Sequence, residues 1–181
     1  MDKTEKTIQS NLLFEGKVIR VYHDRVLCPN GKESMREIVQ HKGGVAAVVL
    51  NEKQEIYFVN QYRYALQSCL WEIPAGKLEI GEEPDTAILR ELEEEIGVIP
   101  QTLYSLGEII PTCGYCSEKI HLYLATDLTY TSPHPDEDEA LDIITVPLAD
   151  AIKQCQNGDI TDAKTICALM RLNGEKRQVL L

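Results

Sequence analysis

The sequence predicts an α/β or α+β sandwich, a mixed central sheet between helices, with an antiparallel β-hairpin sheet at its N-terminal end. Three observations carry this. Val45–Leu50, VAAVVL, is an apolar run of buried-strand length. Ile88, Leu92 and Ile96 recur every four residues and draw one apolar stripe along a helix. Strand-like stretches flank that helix on both sides and two helical stretches close the chain, which is the order a layered sandwich requires.

Taken in order, residues 1–11 are polar and read as a frayed end. An extended run follows from Leu12 through Val18 and His23, turns at Pro29-Asn30-Gly31-Lys32, and returns over Ser34–Gln40. This hairpin has modest apolar content and calls for a partner surface. Gly43-Gly44 breaks the chain, so residues 1–42 read as a leading β subdomain and 43–181 as the main domain. Strands are expected at Val45–Leu50, Glu55–Gln61 and Cys69–Pro74. Gly76 to Gly81 reads as a loop opening the helix, with Pro84 in the first turn, where its missing N–H costs nothing, and Gly97 as the stop. Thr102–Ile110 and Lys119–Ala125 are the next strands, with Thr126–Pro135 a polar connection and Leu141–Val146 the last strand. Pro147–Gln156 and Thr161–Leu172 are the closing helices.

Charge and cysteine usage exclude several classes. The net charge of −11 argues against a general nucleic-acid or membrane-surface binder, because phosphate contacts need clustered Lys and Arg. An anionic small molecule stays open, since bound cations invert the local field. The first residues lack the apolar core of a signal peptide, and no stretch approaches the length of a membrane span. Six cysteines in 181 residues do not make a disulfide framework, so reduced thiols and a cytoplasmic setting are expected. Cys113 and Cys116 form a CxxC without a second pair, which disfavours zinc.

One place breaks the local rules. Glu91, Glu93, Glu94 and Glu95 crowd the end of the predicted helix, where its dipole disfavours negative charge. Glu91 and Glu95 are an i,i+4 like-charge pair, worth roughly 0.2–0.5 kcal/mol of repulsion. Three carboxylates therefore share one face where they harm stability. A solvated acidic face is the ordinary reading of such a run. A hard divalent cation, Mg²⁺ or Mn²⁺, would instead relieve the repulsion.

The spacing favours the cation. Gly76, Glu82, Arg90, Glu91, Leu92, Glu94, Glu95, Gly97 and Val98 stand as in the signature of the Nudix hydrolases, with no departure. Seven fixed identities at one start arise by chance well below ~10⁻⁶ of the time. Further pieces resemble the ADP-ribose pyrophosphatase branch: MREIV at Met35–Val39, QYR at Gln61–Arg63, WEIPAGKLE at Trp71–Glu79, the turn Pro111–Gly114, and DEDE at Asp136–Glu139.

The resemblance implies a mixed sheet between helices and Mg²⁺-dependent hydrolysis of ADP-ribose to AMP and ribose 5-phosphate, with Mn²⁺ a substitute. It implies Glu91, Glu94, Glu95 and the Ala75 carbonyl as metal ligands, with Glu94 also counted in the catalytic set. Glu82 and Arg90 would be an ion pair that orients those carboxylates. Glu137 matches the catalytic base best, with Glu139 a further metal contact or the alternative base. Arg63 is a candidate phosphate ligand, since its planar fork suits phosphate oxygens. Arg36, Glu37, Lys77, Thr112, Cys113, Gly114 and Glu118 are candidate substrate contacts; exposed strand charge is an equal reading of Arg36 and Glu37. The branch often has Ser-Pro-Gly where this chain has Thr112-Cys113-Gly114. A homodimer completed through the leading hairpin is expected. Other nucleoside diphosphate sugars, or a nucleotide sensor that binds without hydrolysis, are the alternatives; a sensor has no need to keep every metal carboxylate.

Overall fold

The computed structural model describes residues 2–135 and 140–174, and the chain divides into two compact units. The first unit comprises the residues up to Gly43 together with Ile110–Lys119. The second comprises Gly44–Ile109 and the chain from Ile120 onward.

In the first unit, β1 (Lys6–Gln9), β2 (Leu12–Glu15), β3 (Ile19–Leu27) and β4 (Glu33–His41) form one antiparallel sheet. β4 follows β3 along its whole length, from Ile19 opposite His41 to Leu27 opposite Glu33. The Asn30-Gly31 turn closes this pair, as expected, with Cys28 N–H donating to Lys32 O at 2.8 Å. The other edge of β3 is shared end to end: β1 pairs with its last residues and β2 with Tyr22 to Arg20. The expectation of a frayed start is corrected here. Lys6–Gln9 is a strand because β3 offers it an unfilled edge, and polar residues are no bar on a sheet margin. β4 gains a further neighbour: Val39 N–H donates to Tyr115 O at 2.7 Å and Ser117 N–H to Val39 O at 2.9 Å. That pairing is why Ile110–Lys119 belongs to this unit although it lies far along the chain.

In the second unit, β5 (Gly44–Val49), β6 (Glu55–Arg63), β7 (Ser68–Glu72) and β8 (Ala75–Lys77) precede α1 (Pro84–Ile96). β9 (Val98–Ile109), β10 (Ile120–Tyr130), β11 (Leu141–Pro147), α2 (Leu148–Asn157) and α3 (Ala163–Gly174) follow. Two sheets result, ordered β8-β5-β10-β9 and β11-β6-β7. Among the described residues of this unit, only β5 and β10 run parallel, so the sheet is mixed, as predicted.

β5 is buried along its entire length, and its alternation sorts the core. Ala46, Val48 and Leu50 pack with Ala151 of α2 and with Ala168, Leu169 and Leu172 of α3. Val45, Ala47 and Val49 pack with Ala87, Ile88, Leu92 and Ile96 of α1. Helices thus cover both faces of this sheet, which explains why the strand reads as a continuous apolar run.

Two expected boundaries move. Gly76, read as loop, lies in β8, where it pairs with Val45. β9 and β10 extend to Val98 and Tyr130, which face each other in register, although Thr126–Tyr130 reads as polar connection. Tertiary pairing with a partner strand overrides local composition at both places. Among the described residues, no helix is long and apolar enough to cross a membrane.

Candidate active site

α1 is built as its sequence dictates. Pro84 stands in the first turn after Glu83. Gly97 ends the helix at φ +64°, a left-handed conformation that favours glycine, and its N–H donates to Glu93 O at 3.1 Å. Asp85 accepts a hydrogen bond from the Tyr123 hydroxyl of β10 at 2.6 Å. Burial and this bond raise the phenol above its ordinary pKa. Tyr123→Phe is expected to lower unfolding free energy by about 0.5–1.5 kcal/mol in chemical denaturation and to leave catalytic turnover nearly unchanged.

The acidic face is organised by Arg90. Its Nε and Nη2 donate to Glu82 Oε1 and Oε2, both at 3.0 Å. Its Nη1 donates to Glu91 Oε1 at 3.0 Å and to Glu94 Oε2 at 2.9 Å. Nη2 also reaches the Lys77 carbonyl at 3.4 Å. Glu82 meanwhile accepts the Glu79 N–H at 3.0 Å, fixing the loop before the helix. One guanidinium therefore offsets the repulsion between Glu91 and Glu94, and the ion pair expected between Glu82 and Arg90 is present.

Arg90, helped by the Glu79 N–H, holds the Glu82 carboxyl below the usual carboxylate range. A depressed carboxyl contributes stability above its unfolded pKa, and that contribution is lost as pH falls through the folded value. Thermal stability is therefore expected to drop as acid passes below about pH 4.3. Glu82→Gln should show a shallower acid limb when melting is followed by circular dichroism.

Gly76 and Glu91 fit each other. A Cβ on Gly76 would sit 1.8 Å from the Glu91 carboxyl carbon, with both its oxygens within 2.3 Å. The missing side chain is the space that the carboxylate occupies. Glu95, 3% exposed, accepts the Ala75 N–H on Oε2 at 3.1 Å. Glu91 and Glu95 are thus set against Ala75-Gly76, and Glu94 is joined to Glu91 by Arg90. Among the described residues, no three carboxylate, imidazole or thiolate groups yet converge on one point. The donors nonetheless suit a hard divalent cation: every one is an oxygen, and the glycine leaves a cradle for one of them.

Arg63 is placed differently from a free phosphate ligand. Its Nε and Nη2 fork onto Glu72 Oε1 and Oε2, both at 2.6 Å, while its side chain stays 39% exposed. Lys77 is exposed on β8. The remaining substrate candidates belong to the first unit. Arg36 pairs with Glu5 and donates to Ser34 Oγ at 3.0 Å, and Glu37 is exposed opposite His23. Thr112 O accepts the Cys116 N–H at 3.0 Å, Cys113 and Gly114 are exposed, and Glu118 lies 3.5 Å from His41 Nδ1. Cys113 and Cys116 are free thiols. Glu137 and Glu139 lie outside the described residues.

Sequence reasoning missed Glu72, Lys164, Asp162 and Thr165, which are linked by ion pairs and hydrogen bonds beside Arg63. A signal existed: Glu72 directly precedes Ile73-Pro74 in a strand whose alternation turns it inward, beside the exposed Trp71.

A family model described as the NUDIX domain matches residues 40–169. An ADP-ribose pyrophosphatase of Bacillus subtilis is 42% identical over 170 residues, covering 93% of this chain and 92% of its own. A methanol dehydrogenase activator of Bacillus methanolicus is 41% identical over the same shares of both chains. An ADP-ribose pyrophosphatase of Mycobacterium tuberculosis is 33% identical, covering 93% and 83%. Among solved structures, one described as an ADP compounds hydrolase superposes with a TM-score of 0.82 at 22% identity, covering 94% of this chain and 93% of that one, which speaks for the fold. Since the matched span holds both the Gly76–Glu91 cradle and the core strands that carry it, the chain belongs to the NUDIX domain family, whose hydrolases work with a divalent cation.

Proposed function

We propose that this Nudix hydrolase cleaves the pyrophosphate of ADP-ribose, and of related nucleoside diphosphate sugars, to AMP and ribose 5-phosphate. The observation that carries the chemistry is the seating of Glu91 and Glu95 against Ala75-Gly76, with Glu94 tied to Glu91 by Arg90. Support for the substrate comes from the two ADP-ribose pyrophosphatases that align with nearly the whole chain.

In this reading Glu91, Glu94, Glu95 and the Ala75 carbonyl would hold Mg²⁺, or Mn²⁺ in its place. The ion, when bound, neutralises the diphosphate and lowers the pKa of a water. Glu82 keeps Arg90 oriented, and Arg90 holds Glu91 and Glu94 together through its Nη1. Glu137 is the general base, with Glu139 a further metal contact or the alternative base. Arg63 takes a phosphate oxygen. Lys77, Arg36, Glu37, Thr112, Cys113, Gly114 and Glu118 contact the remainder of the substrate. Residues 1–42 serve dimerisation and substrate binding, and residues 43–181 catalysis. Leu12, Leu13 and Phe14, exposed side by side in β2, support a homodimer, because clustered apolar surface is a common place for a partner. A cytoplasmic location accords with the six free cysteines.

The test is turnover of ADP-ribose with Mg²⁺, resolving products by chromatography beside a panel of nucleoside diphosphate sugars. Metal-dependent AMP, fastest from ADP-ribose, is expected. Faster turnover of another sugar would keep the Nudix chemistry and change the substrate. Binding without turnover would make the chain a nucleotide sensor.

A further inference from the structure

Beside the site lies a chain of charges that no step above uses. Glu72 is 2% exposed at the end of β7. Lys164 is 8% exposed in the first turn of α3, and its ammonium is ion-paired with Glu72 Oε2. It also meets Asp162 Oδ1 at 3.1 Å. Asp162 caps α3, accepting the Thr165 N–H at 3.0 Å and hydroxyl at 2.6 Å. The Thr165 hydroxyl in turn accepts the Ile73 N–H at 3.0 Å. The network therefore runs from the helix cap to the residue after Glu72, and Pro74-Ala75 leads directly from there into the metal cradle.

A buried lysine is uncommon and costly unless paired. Here its placement has a geometric effect. Glu72 Oε2 is shared between Lys164 and Arg63 Nη2, so the plane of the carboxylate is fixed from behind. A fixed carboxylate plane fixes the plane of the guanidinium forked onto it. Arg63 gives Nε and Nη2 to that fork, and its Nη1 makes no hydrogen bond among the described residues. The charge of Glu95 also acts on Arg63, which places the guanidinium within electrostatic reach of the acidic face.

We propose that Lys164 is a positioning residue for diphosphate binding: through Glu72 it holds Arg63 so that the Nη1 edge faces the substrate. This rests on the reading of Arg63 as a phosphate ligand. Lys164 itself touches no reacting atom.

The test is the affinity of ADP-ribose, measured by calorimetry in EDTA so that no turnover intervenes. Arg63→Ala, Lys164→Met, Lys164→Arg and the double variant Arg63→Ala with Lys164→Met are compared, each with a melting curve. Arg63→Ala and Lys164→Met are each expected to weaken binding on the order of tenfold. The double variant should be no weaker than Arg63→Ala alone, because the lysine acts only through the arginine. Lys164→Arg should recover most of the affinity. Should Lys164→Met not fold, Glu72→Gln takes its place, since it keeps the volume and leaves one oxygen for a two-pronged donor. Wild-type affinity in Lys164→Met, or additive losses in the double variant, would overturn the positioning role and leave the phosphate reading of Arg63 standing. Wild-type affinity in Arg63→Ala would remove that reading and the inference with it. If neither Lys164→Met nor Glu72→Gln folds, the network is structural and the inference fails.

Discussion

Gly76→Ala is expected to abolish turnover and to destabilise the fold by about 1–3 kcal/mol, the usual range for an added methyl in a packed site. The reason is local. A Cβ at 1.8 Å from the Glu91 carboxyl carbon cannot be accommodated without moving that side chain. Glu91 is bound to Arg90, which is bound to Glu82 and Glu94, so displacing one carboxylate disturbs the other two. The strand has little freedom to yield, because Ala75, Gly76 and Lys77 are paired with Ala46, Val45 and Gly44 of the buried β5. Chemical unfolding gives the stability, and an Mg²⁺ titration of the initial rate gives the activity. A variant with wild-type rate and midpoint would show that the cradle is not where the cation is held.

Glu94→Gln and Glu95→Gln are each expected to lower kcat by at least ~10²-fold, the scale of losing one preorganised electrostatic group. Neither should unfold the protein. The amide introduced by Glu95→Gln keeps an oxygen for the Ala75 N–H, and the one introduced by Glu94→Gln keeps an oxygen for Arg90. From crowding alone these variants should gain stability in EDTA. The structure reduces that gain, because Arg90 already offsets the repulsion of Glu91 and Glu94. Rates across an Mg²⁺ series and melting curves in EDTA separate the two effects. Full turnover in both variants would remove the metal assignment.

The parts of this molecule legible in its sequence are those whose signals are local. Pro84 and Gly97 delimit α1, the four-residue spacing of Ile88, Leu92 and Ile96 shows its buried face, and the dense spacing of the acids marks the site. What escaped depends on residues far apart in the chain. Lys6–Gln9 becomes a strand only because β3 has an edge for it. Ile110–Lys119 joins the first unit through a contact with Val39 that no periodicity announces. Glu72 and Lys164 are 92 positions apart, and neither looks unusual alone. Arg63 was legible as a guanidinium suited to phosphate, but not as one already committed by two of its three nitrogens to a carboxylate.

The parallel pairing of β5 with β10 has a consequence in time. Gly44 pairs with Ile120, so the most apolar strand of the chain is made roughly 76 residues before its central neighbour exists. At ~5–20 residues per second of synthesis, that is a wait of about 4–15 s. β8 arrives sooner but pairs only with Gly44–Ala46, with Pro74 O accepting the Ala47 N–H, leaving Val48 and Val49 without a strand partner for the rest of the interval. α1, emerging between the two, carries the apolar stripe that packs against the odd-numbered face of β5. The helix that carries the acidic face is therefore also a cover for the odd-numbered side of β5 that is made before β10.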